Sequence, residues 1–168
     1  MRRPLVSVLT VISLILLVAI NAHPAEIILP NAPTQVYFSP NGGCTEAMVR
    51  EISAAKEEIL VQAYSFASAP IAKALVEAHK RGVKVEAILD KSQRTEKYSS
   101  ATFLANSKIP TFIDARHAIA HNKIMIVDQD TVITGSFNFT KAAEEKNAEN
   151  LLIIKSGELA GIYIENWK

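Results

Sequence analysis

His121-Asn122-Lys123, four apolar residues, Asp128, six further residues and Gly135-Ser136-Phe137-Asn138, with Glu149 beyond, form the stretch that decides how this chain is read. Residues two apart on a strand share a face. His121 and Lys123 therefore look the same way, while Ile124 and Ile126 turn to the opposite face and the core. Ser136 and Asn138 repeat that spacing directly after Gly135, whose missing side chain lets a backbone or a ligand come close. The local fold this predicts is a pair of short strands, residues 123–127 and 131–134, joined by the turn Asp128-Gln-Asp130. Four polar groups converging on otherwise apolar strands are hard to explain as ordinary surface.

The polar types suit attack on a phosphate ester. Imidazole, with a pKa of about 6.5, is largely neutral at neutral pH and competent to attack phosphorus. Lys123 and Asn138 would donate hydrogen bonds to the non-bridging oxygens and offset charge in the transition state, with no metal or other cofactor. Glu149 is expected to orient the imidazole and to hold an acid histidine protonated, as a carboxylate does in a hydrolase triad. Asp128 lies seven residues from His121 with opposite strand parity. It belongs to the candidate set by its place in the pattern, and the expectation is that it braces the turn rather than touches substrate. The motif occurs once. A phosphodiester has an attacked phosphorus and a leaving oxygen, so one histidine supplies the nucleophile and a second group must supply the proton. Two chains per working site are expected, joined as a homodimer by an isologous contact.

Outward from this stretch, helices and strands alternate. Residues 35–38 read as a strand closed by the turn Ser39-Pro-Asn-Gly-Gly43, Thr45 as the cap of a helix over 45–56, and 59–66 as a strand. Ser68-Ala-Pro70 opens a second helix that Gly82 stops, and 83–90 is the next strand. The right-handed crossover makes these two strands parallel. A helix over 98–106, a short strand over 111–114, a strand over 150–155 and an amphipathic helix over 158–167 complete the pattern. The fold class is α/β, a mixed β-sheet flanked by helices, with one motif copy per chain and no internal repeat.

At 168 residues with 49% hydrophobic and 21% charged content, the chain has material for one compact core and no low-complexity run. Arg2 and Arg3 precede an uncharged, mostly apolar run over residues 5–20, the layout of a signal peptide ending near Asn21-Ala22. An uncleaved membrane anchor is the alternative for the same segment, and membrane attachment is expected only in that case. The expected division is a signal segment over 1–22, an extended, proline-bearing lead-in over 23–35 and the folded domain over 36–168. Cleavage would deliver the domain to the periplasm or the exterior. Cys44 is the single cysteine, so no intrachain disulfide forms; it reads as a small buried thiol, or else as a link across a dimer. Formal net charge is +1, so any affinity for phosphate must be local. Lys80, Arg81, Lys84, Lys91, Arg94 and Lys97 cluster in sequence, either as a groove for a phosphate backbone or as solvated surface.

The pattern His-x-Lys-x4-Asp-x6-Gly-Ser-x-Asn, carried by His121, Lys123, Asp128, Gly135, Ser136 and Asn138, resembles the phospholipase D superfamily. Phe38-Ser-Pro-Asn-Gly-Gly43, Ala63-Tyr-Ser-Phe66, Gly135-Ser-Phe-Asn-Phe-Thr-Lys-Ala-Ala143 and Asn147-Ala-Glu-Asn150 are similar to its small secreted bacterial members, the Nuc-type endonucleases. The resemblance covers roughly residues 36–167. It implies a sandwich of that family's kind, a homodimer in which two motifs meet at a two-fold axis, a phosphohistidine intermediate, no metal, and cleavage of single- and double-stranded DNA, with RNA open, without sequence preference. By that resemblance His121 is nucleophile in one protomer and general acid in the other, Lys123 and Asn138 are phosphate ligands, and Ser136 and Glu149 support them. Relatives are expected to continue past Trp167-Lys168, which leaves the stability of the last helix open. A phospholipid hydrolase or transferase with the same chemistry is the alternative, and an inactive binding module a third reading that the intact motif argues against.

Overall fold

The computed structural model describes residues 26–97 and 99–168. The signal segment and the first part of the lead-in lie outside them, as does Tyr98. In chain order the elements are β1 (Thr34–Ser39), α1 (Cys44–Ala54), β2 (Glu58–Ala63), α2 (Ala69–Lys80), β3 (Lys84–Asp90), a 3-10 turn over Lys91–Arg94, α3 (Ala101–Asn106), β4 (Thr111–Asp114), β5 (Lys123–Val127), β6 (Thr131–Gly135), α4 (Lys141–Glu145), β7 (Glu149–Lys155) and α5 (Gly157–Trp167). The strands make one mixed sheet in the order β1-β7-β6-β5-β2-β3-β4. β2, β3 and β4 run parallel, and every other pairing is antiparallel. The predicted crossover through α2 is the parallel step from β2 to β3.

Both faces of the sheet are covered near its middle, which is why all five residues of β5 are buried. Met125 and Val127 join the larger core with Met48 and Ile52 of α1 and Ile71 and Leu75 of α2. Ile124 and Ile126 turn to the other face, as the alternation predicts, and pack with Leu60 and Val132 against Ala160, Leu159, Tyr163 and Trp167 of α5. Trp167 also donates its indole N–H to the Val61 carbonyl at 3.1 Å, fastening the end of α5 to the sheet. Ser156 caps that helix, accepting from the Leu159 N–H at 3.2 Å.

Several boundaries differ from expectation, each for a local reason. α1 starts at Cys44 behind Gly43, which has φ 80°, so Thr45 does not cap it. The Glu144 carboxylate does that work, accepting from the N–H groups of Gly43 at 3.1 Å and Thr45 at 2.7 Å. β2 stops at Ala63 because the Phe66 end of the predicted strand follows Phe139 instead, through one parallel bridge. α3 begins at Ala101, just after Ser100, whose N–H is engaged by the Phe66 carbonyl at 2.7 Å; the expected start at Tyr98 lies outside the described residues. Sequence reasoning passed over α4, although Thr140 followed by Lys141-Ala-Ala-Glu-Glu carries a cap and good helix formers; the Thr140 hydroxyl accepts from the Ala143 N–H at 3.1 Å. Among the described residues no helix is long and apolar enough to cross a membrane.

Candidate active site

Strand directions bring residues distant in sequence to one edge of the sheet. β1, β6, β2, β3 and β4 end there and β7 and β5 begin there, as the pairs Ser39 with Glu149, Ala63 with Lys123 and Asp90 with Asp114 show. His121, Lys123, Ser136, Asn138 and Glu149 all lie along this edge.

Lys123 opens β5 and is only 7% exposed. Its ammonium donates to the His121 carbonyl at 2.7 Å and sits 5.1 Å from the centre of the Tyr64 ring. The exposed His121 ring lies 4.5 Å, centre to centre, from the same Tyr64 ring, tilted by 53°. Tyr64 follows β2 directly and its N–H donates to the Asn122 carbonyl at 2.8 Å, so one aromatic residue is fixed against both members of the pair. Sequence reasoning gave Tyr64 no role. Its signal was an aromatic ring immediately past a buried strand, one residue beyond the register partner of Lys123.

Ser136 and Asn138 alternate with Phe137 and Phe139, both fully buried, so the segment is pinned through its phenyl rings while its polar side chains stay at the edge. Phe139 packs edge-on against Phe66 at 5.8 Å, and its carbonyl accepts from the N–H groups of Ala67 at 2.9 Å and Ser68 at 2.8 Å. Asn138 Oδ1 is buried with no partner among the described residues. An unpaired buried acceptor costs about 1–3 kcal/mol, and such groups call for a functional or structural explanation. Gly135 has φ 150°, and a Cβ there would stand 2.2 Å from the Asn150 carbonyl oxygen. It is the backbone of β7, rather than a ligand, that needs this glycine.

The Ser136 hydroxyl accepts from the Asn150 N–H at 3.0 Å, tying the motif to the start of β7. Ser39, also unassigned by sequence, accepts from the Glu149 N–H at 3.2 Å and donates to the Asn147 carbonyl at 2.9 Å. The Glu149 carboxylate accepts from the Asn147 amide at 3.1 Å. Among the described residues it makes no hydrogen bond to the His121 imidazole, so the expected orienting contact is not made within one chain; the carboxylate is turned to Asn147, and the ring rests on Tyr64. Glu149 acts on Lys123 through charge instead. Burial pushes the Lys123 ammonium below the usual lysine range, and the Glu149 carboxylate draws it partly back.

Asp128 stands at the other end of β5, roughly 16 Å from Lys123 at about 3.3 Å per residue. Its carboxylate accepts from the N–H groups of Lys56 at 2.9 Å, Glu57 at 2.8 Å and Glu58 at 3.1 Å. It anchors the entry to β2, and the structure does not bring it together with the other candidates. The basic cluster also divides. Lys80 pairs with Glu77, Lys84 with Glu58 and Glu86, and Arg81 donates to the carbonyls of Ile52, Ser53 and Ala55. These three engaged cations lie away from the site, whereas residues 91–97 follow β3 onto the site edge. Cys44 is buried, and burial together with the Glu144 charge pushes its thiol up to about 11. Among the described residues no three His, Cys, Asp or Glu side chains gather as metal ligands would.

Residues 48–168 match the family described as cardiolipin synthase, PLD-like domain. The chain belongs to the phospholipase D superfamily. A superfamily member named phospholipase D, from Rickettsia conorii, is 45% identical over 139 residues, an alignment that takes in 83% of this chain and 70% of that one. Its counterpart from Rickettsia felis is 48% identical over 130 residues, taking in 77% of this chain and 65% of that one. Among solved superfamily structures, Nuc from Salmonella typhimurium superposes with a TM-score of 0.77 at 45% identity, over 81% of this chain and 91% of that one. NucT from Helicobacter pylori superposes with a TM-score of 0.71 at 26% identity, over 81% and 93%. The expected α/β sandwich of the phospholipase D superfamily is therefore the observed fold, and the chain is a phosphodiesterase-type enzyme of that superfamily.

Proposed function

We propose that the protein is an exported endonuclease that cleaves DNA, single- or double-stranded and without sequence preference, through a phosphohistidine at a homodimer interface. The observation that carries the reading is the single sheet edge on which one motif copy sets an exposed imidazole and a buried ammonium against the same Tyr64 ring and ends with the carboxamide of Asn138, whose NH2 group can donate to a phosphate oxygen. A ring nitrogen of His121 attacks phosphorus. The bond from phosphorus to the leaving oxygen breaks, and that oxygen takes a proton from protonated His121 of the partner subunit. Water then attacks the phosphohistidine, giving its proton to the neutral imidazole of the partner and releasing His121. Lys123 and Asn138 hold the non-bridging oxygens throughout. No metal enters this scheme.

Dimerisation is supported by Val36 and Phe38, 52% and 66% exposed two residues apart on the edge strand β1, with Phe38 paired in register with Asn150 beside the site, an apolar strip that a second copy would cover. The test is cleavage of plasmid and labelled oligonucleotides by the domain lacking residues 1–22, with chelator present, together with sedimentation. Nicking at near-neutral pH by a dimer, with a trapped phosphoryl group mapping to His121, is expected; an active monomer, an obligatory divalent ion or an adduct elsewhere overturns the reading. The family description and the relatives named phospholipase D favour a second substrate class, phospholipid. Phosphatidylcholine and cardiolipin vesicles offered to the same preparation decide between them.

A further inference from the structure

The loops that leave β3 and β4 stand on the same sheet edge as His121. Residues 91–97 follow β3; residues 115–122 follow β4 and run into His121 itself. Buried side chains lash the two loops together. Asp90, 3% exposed, accepts from the Ser92 N–H of the first loop at 2.9 Å and from the Ala120 N–H of the second at 2.8 Å. Lys91 Nζ donates to the His117 carbonyl at 3.3 Å. Gln93, also buried, accepts from the Phe66 N–H at 3.0 Å and donates to Glu96 at 2.8 Å.

The carboxylates that flank these two loops are each engaged by a neighbour, Glu96 while remaining exposed. Asp114 accepts from the N–H groups of Arg116 and His117 and pairs with His117 Nδ1 at 2.7 Å, Asp90 serves the loop backbones, and Glu96 is held by Gln93. Outward, the edge presents Lys91, Arg94 and Arg116, all exposed and none in a close ion pair among the described residues, although the Lys91 charge helps hold the Asp90 carboxyl below the usual carboxylate range.

We propose that Lys91, Arg94 and Arg116 form a cationic rail that grips the phosphates of a nucleic-acid strand next to the one being cut. The proposal rests on the nuclease reading and names the contact that makes a polymer the preferred substrate. A lone diester is already met by Lys123 and Asn138, so three more cations outside that shell serve a substrate whose phosphates repeat, as they do every ~3.4 Å of axis along each strand of a duplex. The cations follow two loops along one edge toward the catalytic histidine, which suits a strand. Ile119 is the one large apolar side chain these loops expose among the described residues, too little to seat in a bilayer. Among the described residues Arg94 and Arg116 make no side-chain hydrogen bond or ion pair, and Lys91 gives up a single bond to the His117 carbonyl, so the rail can be removed without unbuilding the loops.

The experiment compares His121→Ala, which binds without cutting, with the same chain also carrying Lys91→Ala, Arg94→Ala and Arg116→Ala. Binding of a fluorescent single-stranded oligonucleotide is followed by anisotropy over a salt series, and binding of anionic vesicles by co-sedimentation. Removing the rail is expected to weaken oligonucleotide binding on the order of 100-fold at low salt and to flatten the slope of log K against log salt by about 2, three contacts at about 0.7 each. With His121 intact, the triple variant should keep turnover of bis(p-nitrophenyl) phosphate within about threefold while KM for the oligonucleotide rises. Unchanged oligonucleotide affinity and slope overturn the rail, as does an equal loss on both substrates. Loss of vesicle binding with oligonucleotide binding intact assigns the cations to a lipid surface and also overturns it. Strand binding that depends on these residues in a protein that cuts no DNA would leave the rail standing and fail the nuclease reading, so the two fail separately.

Discussion

The rings of Tyr64 and His121 lie 4.5 Å apart and tilted by 53°, with the Lys123 ammonium 5.1 Å from the Tyr64 ring on its other contact. One side chain thus positions both the imidazole and the ammonium that the proposed chemistry uses. The backbone bond from Tyr64 to Asn122 at 2.8 Å keeps this arrangement from depending on loop order.

Replacing Tyr64 by leucine should therefore lower kcat roughly tenfold to 100-fold with little change in KM, since reacting groups lose alignment rather than affinity. Tyr64→Phe keeps the ring and should restore kcat to within about threefold. Equal loss in the two variants would mean that the hydroxyl, not the ring, matters.

The pH profile carries a second expectation. Lys123 must be protonated to hold a non-bridging oxygen, and burial sets its ammonium below the usual lysine range. Activity should accordingly fall on the alkaline side before an ordinary lysine, at about 10.4, would titrate. The Glu149 charge raises Lys123, so Glu149→Gln should move that limb to lower pH. A limb that stays put in the variant, measured as kcat/KM against pH, would separate Glu149 from Lys123.

Gly135→Ala should unseat the site through the backbone. A Cβ there meets the Asn150 carbonyl oxygen at 2.2 Å and must adopt φ 150°, so β7 has to shift away from β6 just where Ser136 binds Asn150 and Glu149 begins. Destabilisation of about 3 kcal/mol or more and loss of turnover are expected. Thermal unfolding unchanged from the parent would show that the strand tolerates the approach.

Much of this was legible in the chain because it rests on local rules. Alternation at Lys123 to Val127 announced a strand with two unlike faces, and the β2-α2-β3 crossover followed from Pro70 and Gly82. Contacts made across the sheet edge were not legible. The Glu144 carboxylate caps α1 from about a hundred residues away, Ser39 reaches Glu149 across strand ends, and Tyr64 meets His121 only once β2 and β5 pair. The basic cluster divides for the same reason: β3 carries Lys84 and Lys91 to opposite edges, a separation that spacing in sequence does not express.

Asp128 shows how a motif position can be structural. Its carboxylate holds three successive N–H groups at the start of β2, and although burial alone would raise its pKa, those bonds and the Lys56 charge keep it below the usual carboxylate range. A carboxylate stabilised in its charged form supports the fold above its unfolded pKa of about 3.9, and that support is lost as pH falls through the lower folded value. Asp128→Asn removes the charge while keeping the shape. It should cost about 2 kcal/mol at neutral pH, a fall in Tm of about 4–8 °C, and the gap to the parent should close as pH drops below about 4. Activity per folded molecule at 25 °C should be unchanged, because the site lies some ~16 Å away at the other end of β5. A lowered kcat with an unaltered Tm would place Asp128 in the chemistry instead.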